Sequence, residues 1–190
     1  MYLNRKNNNF QTSKSYNSME NSPSTAKTGL KWGLITGLGI VAYTAILYVV
    51  GVATSSPLMY VSYAILIAGI VMAMREYKSK NEDYMSYGQG LGIGSFIGTI
   101  TGLLVGAFTT IYMKYVDTTM AEKQLDVMRA ELEKSGQTPE QIDQIVSMSQ
   151  SFMSPGIMFG ASVLTYLIIA FIFSLVISAV LRKNQPEIDF

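Results

Sequence analysis

Four long apolar stretches, at about residues 29–52, 57–74, 90–113 and 156–181, alternate along the chain with short polar segments. No Asp, Glu, Lys or Arg falls in the interior of any of them. A helix needs about 20 apolar residues to cross the hydrocarbon core of a bilayer, and each stretch is close to that length or longer. A soluble fold would have to cover this surface with polar-faced helices, and the stretches have no polar face. The pattern therefore predicts an all-α integral membrane protein built as a four-helix bundle.

The third stretch carries glycine at every fourth position: Gly90, Gly94, Gly98, Gly102 and Gly106. In water each interior glycine would weaken the helix by about 1 kcal/mol relative to alanine. In lipid the backbone must satisfy its own hydrogen bonds, so the helix forms regardless. The glycine row then becomes a flat groove for close helix approach, a repeated small-xxx-small motif of the glycine-zipper type. Residues four apart drift about 40° around a helix, which predicts a steep crossing with the partner. Gly29, Gly33 and Gly37 repeat the interval in the first stretch, and the two glycine grooves are expected to nest. A pore-lining helix and an oligomer interface are the sharper uses of such a row; packing within one bundle is the simpler one.

The polar segments divide by character. Thr54-Ser55-Ser56-Pro57 reads as a tight turn with a cap and a proline at the first helical position. Arg75 to Gly88 is a charged, tyrosine-bearing interfacial connector. Residues 115–154 form an extramembrane amphipathic hairpin between spans 3 and 4. Its first helix carries Ala121, Leu125, Met128 and Leu132 on one stripe. Gly136 turns the chain, and Thr138-Pro139-Glu140-Gln141 restarts a helix with a capping box, carrying Ile142, Ile145 and Val146. Leu125, Met128, Leu132, Ile142 and Val146 are the candidate partner surface. Residues 1–28 read as a disordered cytoplasmic tail, within which Met19 is a candidate start because residues 1–18 look like translated AT-rich upstream DNA. Residues 184–190 form a second tail. The first span exceeds the 7–15 apolar residues of a signal-peptide core, which predicts a retained anchor.

Lys and Arg set the orientation. They occur before and at the edge of span 1, in the second loop and after span 4, and are absent from the first loop. The hairpin has Lys114, Lys123, Arg129 and Lys134 against Asp117, Glu122, Asp126, Glu131, Glu133, Glu140 and Asp143. The positive-inside rule then places both termini in the cytoplasm and the hairpin in the periplasm.

Composition narrows the chemistry. Only 14% of the 190 residues are charged, against roughly 25% in soluble domains. A net charge of +1 offers no concentrated basic face for nucleic acid. There is no Cys and no His, which removes thiolate chemistry, the usual zinc ligands and the commonest general base. The hairpin carboxylates lack calcium-loop spacing, and the methionines follow helix faces, as packing residues do. Span interiors offer hydroxyls such as Thr44, Thr109, Ser174 and Ser178 but no ionisable acid or base, which disfavours proton-coupled transport. No nucleophile-base pair, phosphate loop or metal constellation is present, so no enzyme activity, cofactor or metal is expected.

Thr25-Ala26-Lys27-Thr28-Gly29-Leu30-Lys31-Trp32-Gly33-Leu34-Ile35-Thr36-Gly37, Met85-Ser86-Tyr87-Gly88-Gln89-Gly90 with the glycine-rich span after it, and Gly136-Gln137-Thr138-Pro139-Glu140-Gln141-Ile142 together resemble a family. It is the domain of unknown function 4199, a group of bacterial membrane proteins common in Bacteroidota, and the resemblance covers roughly residues 20–183. It implies a four-span inner-membrane protein of unassigned activity and brings no functional residues with it. The expected role is a non-catalytic membrane partner or scaffold, contacting the lipid bilayer and either a protein partner or further copies of itself. A small channel or transporter subunit is the alternative.

Overall fold

The computed structural model describes residues 23–51 and 56–184. The expectations for residues 1–22, including the Met19 start, for Thr54 and Ser55 of the first turn, and for residues 185–190 lie outside the described residues. Six helices make up the described chain: α1 (Thr25–Val50), α2 (Val61–Lys80, led in by a 3-10 turn at Pro57–Tyr60), α3 (Tyr87–Tyr115), α4 (Met120–Lys134), α5 (Pro139–Phe152) and α6 (Pro155–Leu181). The stretches Thr25–Val50, Pro57–Lys80, Tyr87–Tyr115 and Pro155–Leu181 are long and apolar enough to cross a membrane. The protein is an all-α, multi-pass membrane protein.

Local chemistry sets the helix ends. Ser24 accepts a hydrogen bond from the Lys27 amide at 3.3 Å, so α1 begins at Thr25, inside the segment expected to be disordered tail. Gly51 closes α1 in the left-handed conformation, φ 77°, which favours glycine at a helix C-terminus. Ser86 and Gln89 form a reciprocal capping box at the start of α3, and Thr138 and Gln141 form another at the start of α5. Pro57 and Pro155 each occupy a first-turn position where no backbone donor is missed.

α3 packs most extensively on α6 and next on α1; α1 also packs on α2, which closes the bundle more lightly against α3 and α6. The bundle has two unlike ends. At the loop end lie the start of α1, the α2–α3 loop and the end of α6. At the hairpin end lie the end of α1, the start of α2 and the α4–α5 hairpin. The fully buried core, including Ile70, Ala73, Met74, Met85, Ile93 and Ile97, is concentrated toward the loop end. α4 and α5 pack chiefly on each other.

Candidate functional site

The glycine row of α3 is filled by α6 of the same chain. Gly90 faces Ser178, Gly94 faces Ser174, Gly98 faces Ala170, Gly102 faces Val163, and Gly106 faces Phe159 and Ser162. A Cβ at Gly98 would stand 2.6 Å from Ala170 Cβ and 2.7 Å from the Tyr166 carbonyl oxygen; one at Gly102 would stand 2.7 Å from Val163 Cα. The contact is therefore backbone against backbone. It persists from Gly90 to Gly106, about four turns of helix, so the two helices lie alongside each other where a steep crossing was expected.

The expected nesting of two glycine grooves is corrected as well. Gly29, Gly33 and Gly37 of α1 receive Phe96, Ile100 and Leu104, a ridge on a different face of α3. A groove is filled by a ridge, and two grooves face to face would leave a gap without dispersion contacts. The α6 side of the main seam was missed in sequence, although its signal was present: Ala170, Ser174 and Ser178 repeat the four-residue interval. Their hydroxyls are internally satisfied. Ser174 Oγ donates to the Ala170 carbonyl at 2.6 Å, and Ser178 Oγ donates to the Tyr87 carbonyl at 2.8 Å.

The hairpin end holds a cavity of about 320 Å³ between α1, α2, α3 and α6. Thr44, Tyr48, Ser62, Tyr63, Thr109 and Tyr166 line it, and it extends to Ser56 and Tyr60, the latter 69% exposed. Ile40, Leu66, Thr101 and Ala170, all fully buried, lie one helical turn from Thr44, Ser62, Val105 and Tyr166 toward the loop end. The cavity is thus blind, with a sealed layer beneath it. Thr44, Ser62, Tyr63 and Tyr166 turn hydroxyl-bearing side chains to the cavity; among the described residues the buried hydroxyl without a hydrogen-bond partner is that of Thr110, next to the lining residue Thr109. Tyr63 and Tyr166 are tilted neighbours, their ring centroids 6.4 Å apart. Sequence reasoning noted Thr44 and Thr109 but could not bring four helices to one place.

At the loop end the charges are used in ties between elements. Glu76 of α2 accepts from Lys31 Nζ at 2.8 Å and Trp32 Nε1 at 2.7 Å on α1, and from Lys80 Nζ at 2.6 Å. Asp83 accepts from Lys183 Nζ at 2.8 Å. The backbones of Met85 and Lys183 exchange two hydrogen bonds of 3.0 Å, and Lys183 Nζ lies 5.3 Å from the centre of the Tyr84 ring. The segment after α6 is in this way clamped to the α2–α3 loop. Hydrogen bonding to Lys183 holds the Asp83 carboxyl below its ordinary pKa, and the same contact raises that of Lys183.

The hairpin is an ordered unit. Asp117 accepts from the Thr119 amide and hydroxyl and from Lys123 Nζ, and the lysine contact lowers its pKa. Arg129 and Asp143 bridge α4 to α5 at 3.6 Å. Of the candidate partner surface, Ile142 and Val146 are buried, 7% and 4% exposed, while Leu125, Met128 and Leu132 are half-buried. An amphipathic hairpin covers its apolar stripes against one another first, which accounts for the burial of Ile142 and Val146. Met148 and Phe152, each 60% exposed, lie outside that candidate surface.

Comparison with protein families matches residues 31–183 to the family described as protein of unknown function DUF4199. No curated protein and no solved structure matches the chain. The family match runs from Lys31 in α1 to Lys183, which clamps the end of α6, and so takes in the α3–α6 glycine seam, the cavity and the hairpin, with Gly29 of the α1 seam just outside it. The chain belongs to the DUF4199 family, described as proteins of unknown function.

Proposed function

We propose that this protein is a non-catalytic partner or scaffold of the bacterial inner membrane, with both termini in the cytoplasm and the hairpin in the periplasm. One observation carries the reading: the glycine rows, which could have lined a pore or joined copies of the chain, are occupied by α6 and by the α3 ridge of the same chain. What remains available to other proteins is the hairpin, a capped, internally bridged and acidic projection that packs mainly on itself. The orientation rests on the positive-inside rule: the described loop end holds Lys27, Lys31, Arg75, Lys78, Lys80, Arg182 and Lys183 against Glu76, Glu82 and Asp83.

The test is purification in mild detergent of the tagged full chain beside a variant with residues 117–153 replaced by a short Gly-Ser linker. The reading expects a protein recovered in stoichiometric amount with the full chain and lost with the variant. Recovery of the full chain alone, or of the same protein with both, overturns it. A second reading, a channel or transporter subunit, is favoured by one observation, the blind hydroxyl-lined cavity. Conduction would require the layer of Ile40, Leu66, Thr101 and Ala170 to part.

A further inference from the structure

We propose that the cavity at the hairpin end is a binding site for a small uncharged ligand rich in hydroxyl groups, of the polyol or monosaccharide class. This goes beyond the scaffold reading and does not depend on it.

The volume, about 320 Å³, falls within the range of about 300–1,000 Å³ typical of small-molecule sites. All four long helices contribute to the walls, so the site belongs to the folded bundle and not to one surface element. Its chemistry selects by exclusion. Among the described residues, no Asp, Glu, Lys or Arg lines it, so a charged ligand would leave water for a place without a counter-charge. An acyl chain would be penalised differently, because it would leave the hydroxyls of Thr44, Ser62, Tyr63 and Tyr166 unpaired. A neutral polyol answers both constraints. Its hydroxyls pair with these four, and its C–H faces lie against the rings of Tyr48, Tyr63 and Tyr166, whose apolar bodies and polar tips suit a ligand of mixed character. The fully buried layer beneath the site gives such a ligand a floor, so it would enter and leave by the Ser56 and Tyr60 end.

The chain has no Cys, so a single introduced thiol reports alone. Thr44→Cys, Ser62→Cys and, in the sealed core, Ile70→Cys are placed in the full chain, purified and embedded in lipid nanodiscs. The rate of reaction with a hydrophilic methanethiosulfonate is read with and without glycerol, glucose, myo-inositol or glucose 6-phosphate. The proposal expects reaction at positions 44 and 62 but not at 70, slowed saturably by at least one neutral probe and not by the phosphorylated sugar. Absence of reaction at 44 and 62 overturns it. So does reaction that no neutral probe slows, which would mean water only, and so does equal slowing by glucose 6-phosphate.

Equilibrium dialysis of the unmodified chain against the protecting probe gives the second readout. Tyr166→Phe removes one hydroxyl and keeps the ring, and is expected to weaken binding about two- to tenfold, the value of one net hydrogen bond. Ser62→Leu fills the site and is expected to abolish binding. Unchanged affinity in the folded Tyr166→Phe and Ser62→Leu proteins overturns the assignment.

Discussion

At the scale of single residues, the glycines of α3 separate into two kinds, those on the four-residue row and those off it. Gly98 has α6 backbone against it, whereas nothing lies within 4 Å of a Cβ placed at Gly92. Gly98→Ile is therefore expected to separate α3 from α6, at a cost above the about 1–3 kcal/mol usual for overpacking, because backbone cannot move aside as a flexible side chain can. Gly92→Ala is expected to leave stability unchanged within about 0.5 kcal/mol. Thermal unfolding in mild detergent, followed through the one tryptophan, Trp32, compares the two directly; equal midpoints would contradict the seam. Ser174→Leu should reproduce the Gly98→Ile defect from the other side, since Ser174 occupies the space that Gly94 leaves.

At the scale of elements, the clamp between the α2–α3 loop and the segment after α6 carries a pH dependence with a definite sign. Lys183 holds Asp83 below its ordinary value of 3.8, so the pairing is fully present above that value and is lost as pH falls through the lowered one. Lys183 itself is raised above 10.5, so on the alkaline side the pairing is lost only as pH rises through the raised value. Exchange protection of the Met85 and Lys183 amides, referred to free-peptide rates, should stay level across neutral pH and fall in acid. In Asp83→Asn it should start lower and lose its acid limb; an acid limb that persists would show that another group controls the clamp. The hairpin offers a second element-scale prediction. Thr138 accepts from the Gln141 amide while Gln141 accepts from the Thr138 amide, so Thr138→Ala should destabilise α5 by about 0.5–2 kcal/mol. Because α4 and α5 pack mainly on each other, hydrogen exchange should rise in the hairpin and stay unchanged in the spans.

At the scale of the whole molecule, the described residues pack tightly at one end of the bundle and leave a cavity at the other. Apolar side chains and small residues fill the loop end, while hydroxyls and tyrosines surround the cavity at the hairpin end. Charge is divided along the same axis, with basic excess at the loop end and acidic excess in the hairpin. The proposed orientation predicts that Gln144→Cys reacts with a membrane-impermeant maleimide in intact cells and that Ser79→Cys reacts only after the membrane is opened. The reverse pattern would place the hairpin in the cytoplasm and remove the periplasmic partner from consideration.

The all-α class, the four spans and the capping motif at Thr138-Gln141 were legible in the sequence because their causes are local; the box at Ser86-Gln89 has the same local cause but was not read there. Chain length against bilayer thickness, the absence of charge and the needs of orphan amides at a helix start act within a few turns. The tertiary structure alone decided what each surface meets. A four-residue glycine interval is compatible with any helix that offers a ridge or a small face, so it did not reveal that α6 fills the row of α3 while Phe96, Ile100 and Leu104 fill that of α1. Apolar stripes in the hairpin could not announce how far they cover each other; in the packed hairpin Ile142 and Val146 are buried while Leu125, Met128 and Leu132 are half-buried. The cavity and the Lys183 clamp bring together residues about a hundred positions apart or more, such as Thr44 and Tyr166 in the one and Asp83 and Lys183 in the other. Such juxtapositions depend on the rotation of every helix in the bundle, which only the packed molecule sets.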